Sequence, residues 1–275
     1  MNWRRTWTIA RCDLRQLRQS PDFWGPMLGM AVLFFVVIPT GLLIGITHLG
    51  NVPTIQKVST ALDLLPAQAQ AAIQGIGAAD RTSYALAVYL FAPLAVIVPL
   101  TISTAVGANA LVGERERGTG DFLAHSPASE REIYLGKLIA SLLPGYLTTL
   151  IGFGIYSLAV NLIVGPHVGG WFFPTHDWWV LMLWVIPPFL ATTLSIVLRL
   201  SARVKSAAAA QQASGLVSLP LIVLSYAQSS GAVSSAARSG LIIGLIAWLV
   251  AGVGLMRGAR AVTRARLLGV DAAPG

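Results

Sequence analysis

Residues 82–113 read TSYALAVYLFAPLAVIVPLTISTAVGANALVG, a run without one charged side chain. A helix rises about 1.5 Å per residue and the hydrocarbon core of a bilayer is about 30 Å thick, so roughly 20 apolar residues cross it. The run is continuous and does not alternate with period two. It therefore reads as a membrane-spanning helix and not as a barrel strand. Charges are costly in hydrocarbon, so the same criterion finds the other spans. Trimmed of polar ends, the charge-poor intervals predict six helices, at about 24–46, 84–112, 138–164, 178–198, 209–228 and 239–256. The fold class is all-α: a polytopic membrane protein with six transmembrane helices in a single domain over 1–275.

Composition agrees. Of 275 residues, 55% are hydrophobic and 11% charged, against roughly 25% charged in soluble proteins. That excludes a soluble enzyme, and disorder as well, since disordered chains are poor in apolar residues. The single cysteine, Cys12, forms no internal disulfide. Four histidines lie apart in sequence, and no Cys/His spacing suits a metal. Neither a catalytic site nor a bound cofactor or metal is expected. With the N-terminus placed in the cytoplasm, the inner segments hold sixteen of the 19 Lys and Arg residues. The outer segments hold Lys57, Arg81 and Arg238. This asymmetry predicts the cell membrane with both termini cytoplasmic. It explains the net charge of +8 through anionic lipid, without nucleic acid. The basic head runs straight into an apolar stretch of spanning length, so no cleavable signal is expected, and Arg4-Arg5 fits a twin-arginine signal poorly.

Between the spans the chain divides into recognisable segments. An interfacial helix is expected over 1–22, with Trp3, Trp7, Ala10, Leu14 and Leu17 on one face and Arg4, Arg11, Arg15 and Arg18 on the other, the tryptophans in the headgroup region and the arginines toward phosphates. The extracytoplasmic loop at 47–83 predicts short amphipathic helices over 61–76. Trp171, Phe172, Phe173, Trp178 and Trp179 read as an aromatic interface belt. A cytoplasmic tail occupies 258–275. No span carries a charge at depth, which argues against a proton-coupled carrier. Asn109, Gln211, Gln212, Ser214 and Ser218 are candidates for a pathway or, with the small residues from Ala207 to Gly215, for a dimer seam. Pro39, Pro93, Pro99, Pro144, Pro187, Pro188 and Pro220 interrupt the spans and suit a bundle that opens and closes.

The cytoplasmic loop at 113–137 is the informative one. Residues 114–137 read ERERGTGDFLAHSPASEREIYLGK. Charges alternate in sign, Gly118 and Gly120 interrupt them, and Pro127 stops the pattern. One short helix near 114–124 is expected, with Phe122 and Leu123 pointing one way and the charges the other. A second helix starts at the Ser129 cap with Glu132 in the capping-box position. Such length and order suit docking of a soluble partner. Glu114 and Glu116, at the membrane end, are placed to meet the arginines of the interfacial helix.

This segment resembles the loop between the second and third spans of ABC-2 type permeases, the membrane subunits of ATP-binding-cassette exporters. The match runs through Glu114, Arg115, Glu116, Gly118, Thr119, Leu123, Pro127, Ser129, Glu132, Ile133, Gly136 and Lys137, with Gly120-Asp121 where the family usually has Leu-Glu. SARVKSAAAAQQASGLVSLP at 201–220 is similar to the entry of the fifth span in the sodium-extrusion-like branch. The resemblance implies two paired permeases, a second copy or a paralogue, above two ABC ATPase subunits that bind ATP and Mg. It implies a coupling helix at 114–124. The docking candidates are Glu114, Arg115, Glu116, Arg117, Gly118, Thr119, Phe122 and Leu123, with Arg203 and Lys205 of the next loop. The chain has no GxxxxGK[ST] phosphate loop, so ATP hydrolysis is expected on the partner. An ion-coupled secondary carrier and a non-transporting assembly or sensor subunit are the competing readings; no inverted repeat supports the former.

Overall fold

A computed structural model describes residues 2–50, 52–64, 67–204, 206–229, 236–259 and 263. Every described element is helical. Helix α1 (Trp3–Gln19) precedes α2 (Trp24–Leu49), α3 (Ala78–Glu116), the short α4 (Gly120–Ala124), α5 (Glu130–Ile163), α6 (His176–Ser201), α7 (Ala207–Ser229) and α8 (Ala236–Gly258). Five helices are long and apolar enough to cross a membrane: α2, α3, α5, α6 and Gly240–Gly258 of α8. The sixth expected span falls on α7, which has 23 residues but is not among those five. The long outer loop is helical earlier than expected, over Pro53–Ala61, Leu62–Leu64 and Ala67–Ala72.

Helix α5 lies at the centre and packs on α1, α2, α3 and α6; α6 in turn packs on α3, α7 and α8. Small residues allow the closest crossings. A Cβ on Gly145 of α5 would lie 2.7 Å from the Pro99 carbonyl oxygen of α3. Ala210 of α7 meets Ala108, Val112 and Val197, and Ser214 is buried one turn further on.

Three spans change register just before a proline. The π-turns Leu33–Val37, Leu86–Leu90 and Leu181–Val185 precede Pro39, Pro93 and Pro187. Proline lacks an N–H, so the carbonyl one turn back loses its partner, and the wider turn redistributes the deficit. In the π-turn of α3 two carbonyls take side-chain donors: Tyr156 Oη donates to Ala87 O at 2.6 Å and Trp178 Nε1 to Val88 O at 2.8 Å. This corrects the aromatic belt. Trp171 and Trp179 face outward, but Phe173 and Trp178 are buried and stack with Phe153 and Tyr156. Asn161 fastens that segment, accepting from the amides of Phe172 and Phe173 at 3.0 and 3.1 Å.

Candidate functional site

The loop at 113–137 and helix α1 form one braced unit at one end of the bundle. Helix α3 does not stop at the membrane edge; it continues to Glu116 and ends on Gly118, whose φ of +70° only glycine adopts readily. The amide of Thr119 donates to Glu114 O at 2.9 Å and that of Gly118 to Arg115 O at 3.1 Å, the paired bonds of a glycine-terminated helix. The single helix expected near 114–124 is thus two elements, the end of α3 and the five-residue α4, with a turn between them. Helix α5 starts where the capping box requires. Ser129 N donates to Glu132 Oε2 at 2.9 Å, and Glu132 N to Ser129 Oγ at 3.3 Å.

Charges that alternate along 114–117 separate in space. Glu114 turns inward, where Lys137 Nζ of α5 lies 2.5 Å from its Oε1 and 2.9 Å from Asp13 Oδ1 of α1. Lys137 is 2% exposed and Glu114 7%. Thr119 Oγ1 donates to the other Glu114 carboxylate oxygen, and Arg117 approaches at 3.7 Å. Glu114 therefore meets α1 through Lys137 and Asp13 and not through the arginines of α1, because Lys137 from the adjacent helix reaches it first. Arg115 turns the other way, to the carbonyls of Ser201 and Val204 at 2.8 and 2.7 Å. It closes the end of α6, so it is not a free rim charge. Burial raises the Asp13 pKa above the ordinary 3.8, against the opposing attraction of Lys137. A cavity of about 100 Å³ adjoins the cluster, lined by Asp13, Leu17, Asn109, Glu114, Lys137 and Ser141 among others.

Helix α1 is held along its length. The Asn2 amide donates to Glu132 Oε1 at 2.5 Å, and Arg5 Nη1 to Pro127 O at 2.8 Å. A Cβ on Gly136 would meet Ile9 at 2.8 Å and the Thr6 carbonyl at 3.0 Å, so this glycine sets the approach of α1 to α5. The buried face of α1 carries Thr6 and Ala10, with Asp13 and Leu17 partly covered. Trp3 and Trp7 stay outside. The face against protein is rotated by about 50° from the predicted apolar stripe, at roughly 100° per residue. Helix packing takes small residues, and the tryptophans are left to the membrane.

Phe122 and Leu123 also separate. Phe122 is 80% exposed, whereas Leu123 packs on a cluster that includes Leu111, Tyr134, Leu198 and Ala202. Arg117, Asp121 and His125, on the same loop as Phe122, are exposed as well, with His125 Nδ1 3.9 Å from Asp121 Oδ1. Arg203 is exposed beside the end of α6, and Lys205 lies outside the described residues. Gln211 and Gln212 are exposed, and the side chain of Ser218 lies outside the description. Among the described residues no His, Cys, Asp and Glu group comes together that could hold a metal. The Asp13–Lys137–Glu114 cluster escaped the sequence reading; the G-K pair at 136–137 was its one trace.

These features define a multi-pass, all-helical membrane protein whose loop between the second and third predicted spans is an ordered platform. The family model described as ABC-2 family transporter protein matches residues 7–239, and the chain belongs to that family. It is a permease of the ABC-2 type, a class that works with ABC ATPase subunits. No curated protein gives a match.

Proposed function

We propose that the chain is the membrane subunit of an ABC exporter and that a separate ATPase docks on α4. The observation that carries this reading is Phe122, a large apolar side chain 80% exposed on a loop braced from α1, α5 and α6. Burying a phenylalanine is worth about 1.5–3 kcal/mol, and an exposed aromatic within a polar rim is the usual form of an interface anchor. In this reading α7 is the sixth span. Both termini and the 113–137 loop lie in the cytoplasm of a cell-membrane protein, and a second permease copy or paralogue completes the pathway. ATP and Mg bind the partner, and this chain hydrolyses nothing. Span interiors free of charge suit an apolar or amphiphilic cargo.

The test is copurification with the cognate ATPase, together with the ATP hydrolysis of the assembled complex. Phe122→Ala should weaken association about 30-fold, the equivalent of a ~2 kcal/mol anchor, and Arg117→Ala less than fivefold. Wild-type association of Phe122→Ala and Leu123→Ala alike would remove α4 as the docking element. Topology has its own probe. The exposed Cys12 should react with an impermeant maleimide only after permeabilisation, whereas Cys12→Ser/Thr60→Cys should react from outside.

A further inference from the structure

Helix α1 shows three stripes. Thr6, Ala10, Asp13 and Leu17 face the protein. Trp3, Trp7 and Leu14 form the next stripe. Arg4, Arg11, Arg15 and Arg18 then fall within about 60° of arc, on the side turned away from the protein. All four arginines are exposed, and none has an acidic partner among the described residues. The helix ends at Gln19 and the first span begins at Trp24, so α1 lies at the level where that span leaves the hydrocarbon. With tryptophans at the apolar boundary, the arginine row points laterally, into the headgroup layer around the protein. Four unpaired guanidinium groups at that level are complementary to phosphate-bearing anionic headgroups.

The opposite face of the same helix is tied to the platform at three points: Asn2 to Glu132, Arg5 to Pro127, and Asp13 through Lys137 to Glu114. We infer that the arginine row of α1 binds anionic phospholipid headgroups and that this contact, passed through the Asp13–Lys137–Glu114 cluster, sets how firmly the 113–137 loop is held. Lys137 is a positioning residue in this scheme. It touches neither lipid nor ATPase and transmits by fixing α1, α3 and α5 to one another. Each arginine near an anionic surface contributes roughly fivefold to binding, so four together are selective over zwitterionic lipid. The consequence for transport rests on the docking role proposed for α4; the lipid contact does not.

The experiment uses the full chain alone, in nanodiscs of phosphatidylcholine with or without phosphatidylglycerol. Native mass spectrometry counts retained phosphatidylglycerol, and amide hydrogen exchange reports on residues 117–129. Wild type should retain phosphatidylglycerol and exchange severalfold more slowly when it is present. Replacing Arg4, Arg11, Arg15 and Arg18 by Gln should abolish both effects. Lys137→Met, and Asp13→Ala, which removes the acceptor of the Lys137 bond, should the former not fold, should retain the lipid yet lose the change in exchange. Equal exchange of the wild type in the two lipids, or lipid retention by the arginine variant, would overturn the inference. So would a full lipid response in Asp13→Ala. No ATPase enters the measurement, so failure of the permease reading would appear separately, as absent copurification.

Discussion

Two glycines on α5 should respond in opposite directions to the same added methyl group. At Gly145 a Cβ would stand 2.2 Å from Ser103 Oγ, 2.7 Å from Pro99 O and 3.1 Å from Ser103 N. The hydroxyl can rotate away; the carbonyl and amide belong to the α3 backbone and cannot. Relief to ordinary contact, which begins at 3.4 Å, requires α3 and α5 to part by roughly 0.7 Å at the crossing. Overpacking of that kind costs about 1–3 kcal/mol. At Gly154, nine residues along, nothing lies within 4 Å, and alanine is favoured over glycine in a helix by about 0.5–1 kcal/mol. For a chain of this size 1 kcal/mol corresponds to about 2–4 °C. Gly145→Ala should therefore melt several degrees below wild type in a fluorescence or size-exclusion assay in detergent. Gly154→Ala should melt at or slightly above it. The same displacement would reach the platform, because α3 leads into the 113–137 loop and α5 leads out of it. Equal melting of the two variants would refute the close α3–α5 crossing on which the site is built.

Phe122→Ala should leave the melting temperature unchanged, because the side chain is exposed, whereas Leu123→Ala should lower stability by about 1–2 kcal/mol, part of the value for a fully buried leucine; paired thermal melts decide. Lys137→Ala should cost roughly 3–5 kcal/mol, the usual effect of stripping one partner from a buried ion pair, and Glu114→Gln should cost less because the amide oxygen can still accept from Lys137 while its NH2 donates to the Thr119 hydroxyl; chemical or thermal unfolding would show the order. Asp13 has a raised pKa, so its stabilising share is complete below 3.8 and is lost as pH rises through the folded value. Asp13→Asn should then be at least as stable as wild type near neutrality and show a flatter pH profile, and a neutral-pH loss of stability would contradict that sign. Asn161→Ala should destabilise by about 1–3 kcal/mol, since it orphans the buried amide of Phe173, read by the same melts.

Where a residue stands against hydrocarbon, local sequence was enough to place it, because the penalty for a charge there does not depend on what the neighbouring helix carries. The spans at 24–46, 84–112 and 178–198 fall inside α2, α3 and α6, and 138–164 matches α5 to within one residue at its end, for that reason, and the Ser129–Glu132 cap was legible because both partners lie within one turn. Where a residue stands against another helix, local sequence was not enough. The stripe of α1 assigned Trp3 and Trp7 to the headgroup region, and both stay outside the protein, but it did not show that close helix contact selects Thr6 and Ala10. Phe173 and Trp178 counted as boundary residues, yet Trp178 is held inside by its bond to the Val88 carbonyl in the π-turn before Pro93. Glu114 was expected to meet the arginines of the interfacial helix, yet it finds Lys137 at a distance of 23 residues, a separation no local pattern encodes. Taken together, these corrections move the charges of the loop from its surface to its frame. Glu114 and Arg115 fix the loop to α1, α5 and α6, and Phe122, with Arg117, Asp121 and His125, is what the framed loop presents. A partner that docks here meets a position set by buried ion pairs, so a force on α4 is passed to three helices at once instead of being absorbed by a flexible connector.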